Sequence, residues 1–400
     1  MTKNIASGID WVGIFDFNIT KFDIVMETKY GTTYNSYLIR DEKIALIESA
    51  KLKFFDTYLE KIKSLIDPSQ IDYIIVDHTE PDHSGSVGKI LELAPNATVV
   101  GSKQALNFLE QIIGTTFKQL VVKDGDVLSL GKKTLRFIDA KFLHWPDSIY
   151  TLAVEDKVLF TCDSFGAHYA DENVFDDLAD KKLWDDAFVY YYNCILRPFG
   201  KFFIEAIERI KDLDFNVVCP GHGPVLRKYY KERIAESRKL SEEYLTVLKK
   251  NRLFIAYVSA YGYSKEIAEA IAEGVKAAGD IDIDLCDIEN MDFSTLASKI
   301  EQANGYLIGS CTINQNTLPQ IYSVFAAMTP LRDKGKLAAA FGSYGWSGET
   351  IPIIESNLRA LRFEVFEEHF SVRFRPLNEK LTHAFEFGKR FGEKFLSHNS

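Results

Sequence analysis

Short apolar runs in the N-terminal part of the chain repeatedly end in a histidine or an aspartate. The run 73–76 precedes His78, and later runs precede three more such residues: 134–138 before His144, 150–154 and 158–161 before Asp163, and 215–219 before His222. Their length and their β-branched and aromatic residues predict buried strands, as do runs at 11–15, 33–39 and 44–47. Apolar residues at helical spacing predict a helix at about 53–66. Residues that follow strand ends share one edge of a sheet, so a rigid polar site is predicted there.

The pattern changes near residue 250. The charged segment 228–250 predicts an amphipathic helix with a solvated face. Beyond it, the apolar run 253–258 predicts a fully buried strand, and a helix at 265–278 follows. Two further strands are predicted at 306–310 and 337–341. Strands that alternate with helices indicate a doubly wound parallel sheet, so the chain is predicted to divide into domains 1–248 and 250–400.

The composition is that of a soluble globular protein and limits the possible partners. Of 400 residues, 46% are hydrophobic and 26% are charged, and the net charge of −10 argues against nucleic acid as a main partner. No apolar run reaches the roughly 18 residues of a membrane span. The N-terminus carries no apolar signal core, so we expect a cytoplasmic protein. The five cysteines include no Cys-x-x-Cys pair, which excludes a built-in rubredoxin-type iron site or zinc ribbon.

The segment 78–83, His-Thr-Glu-Pro-Asp-His, places two imidazoles close to two carboxylates. Pro81 predicts that no regular helix passes through its middle, so the four polar side chains are expected to fan out from a loop. Imidazole and carboxylate are the ligands of a transition metal. A polar turn with solvated histidines is the simpler interpretation. Further candidate ligands downstream, His144, Asp163 and His222, favour a metal site.

The motif His78-x-Glu80-x-Asp82-His83, followed by His144, Asp163 and His222, resembles that of the metallo-β-lactamase superfamily. Zinc members of that superfamily carry a second histidine where this chain has Glu80, an anionic and harder donor that favours iron. The variant resembles the flavodiiron proteins, also called A-type flavoproteins. The resemblance implies that one iron is held by His78, Glu80 and His144, the other by Asp82, His83 and His222, and that Asp163 bridges the two.

Three loops at predicted strand ends in the second domain offer a flavin site. A Gly-bearing loop before a helix is typical of phosphate binding, although serine caps many helices that bind nothing. The absence of Gly-x-Gly-x-x-Gly and of a Walker lysine speaks against a dinucleotide or a nucleoside triphosphate. Together the loops resemble flavodoxin, with Cys311 where we expected proline, and the resemblance implies FMN, its phosphate at 259–264. The expected FMN contacts are Ser259, Ala260, Tyr261, Gly262, Tyr263, Ser264, Thr312, Ile313, Asn314, Asn316, Ser343, Tyr344, Gly345, Trp346, Ser347 and Gly348.

Three more residues are candidates near the metals. The segment that begins at Tyr191 and Tyr192 resembles a flavodiiron segment that places a tyrosine near the irons, and we expect one of the two to donate a hydrogen bond there. His168 is a candidate donor near the irons or an ordinary structural histidine. Trp145 is expected to form a wall that keeps water out.

The resemblance covers essentially the whole chain and implies a fold and a function. The fold is α/β, with a metallo-β-lactamase-like αββα sandwich followed by a flavodoxin-like sheet. The implied function is a cytoplasmic oxidoreductase that reduces O₂ to water, NO to nitrous oxide, or both, and protects an anaerobe. Electrons would come from a separate donor, rubredoxin or a reduced deazaflavin, through FMN in a head-to-tail homodimer or a dimer of dimers.

Two other functions remain open from the sequence alone. A zinc-dependent ester or amide hydrolase fused to a flavodoxin module would use the same fold, and Glu80 and the flavin loops argue against it. A pure electron-transfer protein with a vestigial metal site is the other, and the full set of seven ligand candidates argues against it.

Overall fold

The computed structural model describes residues 2–24, 26–247 and 251–399. The chain divides into two compact units between Tyr244 and Leu245. The predicted domain boundary at 248–250 lies outside the described residues. The charged segment before it forms a helix, α7 (Tyr230–Val247), while the last three residues of the predicted helix lie outside the described part. No helix in the described ranges combines the length and the apolarity that crossing a bilayer requires.

The first unit is built from short strands with helices between them. Its strands are β1 (Lys3–Ala6), β2 (Ile9–Trp11), β3 (Ile14–Asp16), β4 (Lys21–Phe22), β5 (Met26–Glu27), β6 (Thr32–Tyr34), β7 (Tyr37–Arg40), β8 (Ile44–Ile47), β9 (Ile71–Val76), β10 (Thr98–Gly101), β11 (Gln119–Val121), β12 (Val127–Ser129), β13 (Thr134–Asp139), β14 (Ile149–Ala153), β15 (Val158–Cys162) and β16 (Val217–Pro220). Its other helices are α1 (Phe55–Lys63), α2 (Pro81–Ser84), α3 (Val87–Leu93), α4 (Lys103–Ile113), α5 (Lys181–Tyr191) and α6 (Gly200–Ile210).

Most of these strands form two sheets that pack face to face. One has the order β1-β2-β7-β8-β9-β10-β11 and the other the order β12-β13-β14-β15-β16. A single apolar cluster joins residues of both sheets, and the rings of Tyr37 in β7 and Phe160 in β15 lie 5.1 Å apart within it. A second cluster packs α1, α5 and α6 against the outer faces. Alternate residues of each strand thus serve an inner and an outer layer, which gives the αββα sandwich that the sequence predicted.

Three local predictions for this unit differ from the structure. The predicted strand at 11–15 is broken between β2 and β3, and the predicted strand at 33–39 is divided between β6 and β7. The expectation that Pro81 keeps 78–83 in a loop is wrong, because Pro81 is the first residue of the short helix α2. Proline is well suited to that position, where its missing N–H would have had no intrahelical partner.

The second unit is a single parallel sheet with helices on both faces. Its strands are β17 (Arg252–Val258), β18 (Asp282–Asp287), β19 (Gly305–Cys311), β20 (Leu337–Tyr344), β21 (Glu364–Val365) and β22 (Phe370–Arg373). Its helices are α8 (Tyr263–Ala278), α9 (Phe293–Gln302), α10 (Pro319–Ala327), α11 (Pro330–Asp333), α12 (Thr350–Ala360) and α13 (Asn378–His398).

The strand order of this sheet places one crevice at the ends of its central strands. The order is β18-β17-β19-β20-β21, and β22 also pairs with β20 beyond β21, so both short strands continue the same edge. Counted from β17, this is the flavodoxin-like order 2-1-3-4-5, in which ligands bind where the order reverses. Alternate residues of β17 pack into the two apolar clusters on opposite faces. The predicted doubly wound sheet is thereby confirmed.

Candidate functional site

The helix α2 divides the polar motif at 78–83 into two halves. His78 and Glu80 lie in the turn after β9, and Glu80 is the residue that precedes the helix. Asp82 and His83 lie on α2 itself, where their side chains are buried. The Ser84 hydroxyl donates to the Thr79 carbonyl oxygen at 2.7 Å and closes the turn. The two halves therefore face different directions because of the change from turn to helix.

The first half of the motif meets His144 and Asp163. Glu80 Oε2 lies 3.3 Å from His78 Nε2 and 2.9 Å from His144 Nε2. Asp163 Oδ2 lies 3.5 Å from His78 Nε2 and 3.4 Å from His144 Nε2. These four side chains direct ligand atoms into one space, within 4.8 Å of one another.

The second half meets His222 and the other oxygen of Asp163. Asp82 Oδ2 lies 3.2 Å from His222 Nε2 and 3.6 Å from His83 Nε2. Asp163 Oδ1 lies 3.1 Å from His83 Nε2 and 3.5 Å from His222 Nε2. Each oxygen of Asp163 thus belongs to a different group. The structure brings all seven predicted ligands together in the predicted two sets, with Asp163 between them.

The chemistry of this donor set fits a pair of metal ions. Both oxygens of Asp82 and the Oδ2 atom of Asp163 are buried and accept no hydrogen bond from the described residues. A buried carboxylate without such compensation is costly. Two bound cations would supply that compensation, and four imidazoles with three carboxylates suit iron.

The surroundings of His144 favour a proton on the imidazole that a bound metal would replace. Burial lowers the pKa of His144, but the nearby carboxylates of Asp163 and Glu80 outweigh it and raise the pKa to about 9. Burial raises the pKa of Asp163, but the charge of His83 and the close approach of the His144 imidazole hold it well below its usual range. A histidine binds a metal ion through its neutral imidazole, so metal binding here releases protons and weakens as the pH falls.

Two buried carboxylates, which the sequence analysis missed, form hydrogen bonds with the segment that carries the candidate ligand His78. Both carboxylate oxygens of Asp147 lie 3.3 Å from His78 Nδ1. Asp147 also accepts hydrogen bonds from the Thr79 N–H and the Thr79 hydroxyl at 2.8 and 2.7 Å. Glu48 accepts from the backbone N–H groups of Asp77 and His78 at 2.5 and 3.0 Å. A carboxylate behind a ligating imidazole fixes the orientation of the ring. The signal for Glu48 was its position directly after the buried run at 44–47.

Of the two candidate tyrosines, only Tyr191 reaches the ligands. Its hydroxyl donates to Asp163 Oδ1 at 2.9 Å. The hydroxyl of Tyr192 bonds instead to Ser241 Oγ at 2.9 Å, and a π-helical turn begins with this residue directly after the end of α5. The inclusion of Tyr192 among the candidate catalytic residues is therefore corrected.

His168 and Trp145 both touch the ligand histidines through their rings. The ring centroid of His168 lies 5.1 Å from that of His222 and 4.8 Å from that of Tyr191. Its Nδ1 lies 2.9 Å from the Thr32 hydroxyl, and burial lowers its pKa well below the usual range. Trp145 packs edge-on against His78 at 5.1 Å. His168 and Trp145 thus both lie near the candidate ligands, as expected. Both roles considered for His168, a donor near the irons and a structural histidine, are compatible with its position.

Gly221 is needed for the close approach of the backbone to the second group. A Cβ atom there would lie 2.6 Å from Cε1 of His83, a distance that atoms in contact do not adopt. The glycine thus lets the loop with His222 close onto His83.

The predicted flavin loops follow β17, β19 and β20 in the second unit. The first loop ends at Gly262, whose φ of 83° places it in the left-handed region at the start of α8. The amides of the first turn of α8 have no intrahelical acceptors, which suits a phosphate. Tyr261 is 83% exposed and Trp346 74% exposed, so two large planar faces are uncovered at this edge.

Hydrogen bonds between side chains connect the three loops. Ser264 Oγ lies 2.9 Å from Ser343 Oγ, and the Thr312 hydroxyl donates to Thr350 at 3.0 Å. Asn314 and the following residue form a tight turn with positive φ values of 54° and 57°. The predicted FMN contacts lie in these loops or, for Tyr263, Ser264, Ser343 and Tyr344, at the adjoining ends of α8 and β20, and this arrangement fits a flavin. Sequence reasoning missed Arg373, whose Nε donates to the Gly345 carbonyl oxygen at 3.0 Å.

Comparison with known proteins gives the same two parts. Residues 32–223 match the model of the ODP family beta lactamase, and residues 255–388 match that of flavodoxin. The chain is 39% identical to the flavo-diiron protein FprA2 of Clostridium acetobutylicum, over 97% of this chain and 98% of that protein. It is 34% identical to a nitric oxide reductase of Moorella thermoacetica, over 98% of each.

Solved structures agree over the full length. Rubredoxin oxygen:oxidoreductase of Desulfovibrio gigas superimposes with a TM-score of 0.71 at 28% identity, covering 100% of this chain and 99% of that one. The flavodiiron protein of Giardia intestinalis does so with a TM-score of 0.66 at 29% identity, covering 100% and 98%. The chain therefore belongs to the flavodiiron proteins, oxidoreductases with a non-haem diiron centre and FMN.

Proposed function

We propose that this protein reduces O₂ to water, NO to nitrous oxide, or both, with electrons that enter through FMN. The observation that carries the proposal is the position of Asp163, one oxygen in each of two matched groups of imidazole and carboxylate. Relatives bear the names nitric oxide reductase and rubredoxin oxygen:oxidoreductase, which supports both gases as substrates.

The electron count suits both reactions. O₂ takes four electrons and four protons to give two waters, and two NO molecules take two electrons and two protons to give nitrous oxide and water. A ferrous pair supplies two electrons and open positions for a small gas, and a reduced FMN supplies two more. This chain's residues would hold the pair, and the Tyr191 hydroxyl orients Asp163 by a hydrogen bond.

The accessible side of the centre is that of Glu80 and His144. Their side chains are 14% and 19% exposed, whereas those of Asp82, His83 and His222 are at most 5% exposed. We propose that the FMN of a second chain approaches from this side in a head-to-tail homodimer, alone or as a dimer of dimers. The electron donor is proposed to be rubredoxin or, alternatively, a reduced deazaflavin acting on FMN, in the cytoplasm.

Metal analysis with gas consumption tests the proposed reaction. The purified protein should contain about two irons per chain and one FMN, and after reduction it should consume O₂ or NO. Zinc in place of iron, together with hydrolysis of an ester or amide, would instead establish the hydrolase. Iron and FMN without consumption of either gas would establish a pure electron-transfer protein.

Rapid mixing identifies the donor, and sedimentation the assembly. Reduced rubredoxin should bleach the FMN absorbance within the time of one turnover. If FMN is reduced faster by the reduced deazaflavin than by rubredoxin, the deazaflavin becomes the leading candidate donor. A monomer at working concentration would contradict the head-to-tail dimer.

A further inference from the structure

A cavity of about 170 Å³ opens at the surface of the first unit, and neither Glu80 nor His144 is among the residues that line it. It is lined by Glu27, Lys29, Tyr30, His168, Asp186, Ala187 and Tyr190. Its rim is at the surface, since the side chains of Lys29 and Asp186 are 73% and 62% exposed. The volume is that of a few water molecules, each of which occupies about 30 Å³ in the liquid.

Hydrogen bonds fix the shape of this rim. The Tyr30 hydroxyl donates to Asp186 Oδ2 at 2.7 Å, and the Glu27 N–H donates to the Tyr190 hydroxyl at 3.2 Å. Ala187, on α5, contributes only a methyl group to the lining of the cavity.

The inner end of the cavity is the imidazole of His168. This side chain is 3% exposed, and its Nε2 has no hydrogen-bond partner among the described residues. Its other nitrogen is held by the Thr32 hydroxyl. Beyond the ring lie Tyr191 and the predicted iron ligand His222, each in ring contact with it. The same imidazole therefore lines a cavity that opens to solvent and packs against a candidate ligand of the second group.

We propose that this cavity is a second entrance to the diiron centre for O₂, NO and water, with the ring of His168 as its gate. The proposal rests on the proposed function, in which a flavin covers the side of Glu80 and His144. Small uncharged molecules would then need another way in, and product water another way out. Rotation of the ring breaks one hydrogen bond, that to Thr32, because Nε2 has none to lose.

The substitution Ala187→Leu tests the entrance, because it fills the cavity from α5 without touching a ligand. Val189→Leu is the matched control, since it adds bulk on the same helix at a residue that does not line the cavity. Crystals under xenon should show the gas in the cavity of the unsubstituted protein and of the control, and not in Ala187→Leu. Absence of xenon from the unsubstituted cavity would overturn the proposal.

Stopped-flow mixing of the reduced protein with O₂ or NO gives the second measurement. The second-order rate constant per bound iron should fall about tenfold in Ala187→Leu, while the rate of FMN reduction by the donor stays unchanged. A constant within about twofold of the unsubstituted value, in a variant whose cavity excludes xenon, would overturn the entrance. An unsubstituted protein that reacts with neither gas would refute the proposed function instead, while xenon still tests the cavity.

His168→Ala tests the gate. Removal of the ring should let xenon move inward, past the former position of the imidazole, and should raise the second-order rate constant at equal iron content. The xenon position needs no iron, so it remains informative if the variant loads metal poorly. Xenon that stops where it does in the unsubstituted protein would show that His168 is not the gate.

Discussion

The hydrogen bond from Tyr191 to Asp163 can be tested by the smallest possible change, Tyr191→Phe. The side chain is fully buried, and its hydroxyl donates to Asp163 Oδ1 at 2.9 Å. Burial and the charge of Asp163 raise the pKa of Tyr191 well above its usual value, so the hydroxyl stays protonated and remains a donor. The phenyl ring of phenylalanine keeps the packing against His168 and removes only that donor.

The magnitude follows from the charge on the acceptor. A hydrogen bond to a charged group contributes about 1.5–3 kcal/mol, and the acceptor here is buried. At about 1.36 kcal/mol per factor of ten, the rate of gas reduction should fall by about 10- to 150-fold if the whole interaction acts in the rate-limiting step. Binding of iron to Asp163 shares the charge of the carboxylate, so we expect a value near the lower end.

The neighbouring tyrosine supplies the control. Tyr192→Phe removes an equally buried hydroxyl, but one that bonds to the uncharged Ser241. This variant should lose about 0.5–1.5 kcal/mol of unfolding free energy and keep its rate. The assay is consumption of O₂ or NO per bound iron, with FMN reduction by the donor measured in the same samples. Equal rates in the two variants would refute the assignment of Tyr191.

Three further outcomes follow from the same contacts. Glu80→His should shift the bound metal from iron towards zinc and abolish gas reduction, because it replaces a hard anionic donor, and metal analysis with gas consumption measures both. Removal of iron by a chelator should lower the unfolding free energy of the first unit, by about 4 kcal/mol for each ion that is present at a thousand times its dissociation constant, and leave FMN bound. In the second unit, burial raises the pKa of Asp333, but hydrogen bonding to Arg332 and the charge of Lys336 outweigh it and lower the pKa. Because the pKa of Asp333 is lower in the folded state, its ionised carboxylate stabilises the fold above about pH 3.9, and this stabilisation is lost as the pH falls through the folded-state pKa. Asp333→Asn should therefore lower the unfolding free energy measured in urea by about 3 kcal/mol at pH 7, and by less in acid.

The sequence was sufficient to group the seven candidate ligands, because they lie in segments that follow the ends of strands. Strand ends are visible as the limits of apolar runs, and residues at one sheet edge converge wherever the sheet is regular, as for His78 and Asp163. The helix at Pro81 was not predictable from the residue type, since proline interrupts a helix in its interior but begins one at its first position. The role of Asp147 was not predicted, because it depends on contact with His78, which lies 69 residues away in the sequence.

The pair Tyr191 and Tyr192 shows a different limit. Successive residues of a helix point about 100° apart, so the two rings had to face different surroundings. Which of them faces the ligands depends on the orientation of α5 about its axis, and that is set by packing of Trp184 and Phe188 against distant parts of the core. A local pattern holds no record of such contacts.

The donor count explains why Glu80 matters beyond the identity of the metal. Each group offers two imidazoles and two carboxylate oxygens once Asp163 is shared, so the two groups present the same types of donor atom. Two ferrous ions would bring four positive charges to the three negative charges of the ligand carboxylates. The small excess of positive charge would grow when the ions are oxidised. A neutral imidazole in place of Glu80 would increase that excess by one charge in a buried site, and so would oppose oxidation as well as iron binding. The carboxylate at position 80 therefore suits a centre that must give up electrons, and a hydrolytic zinc site has no such need.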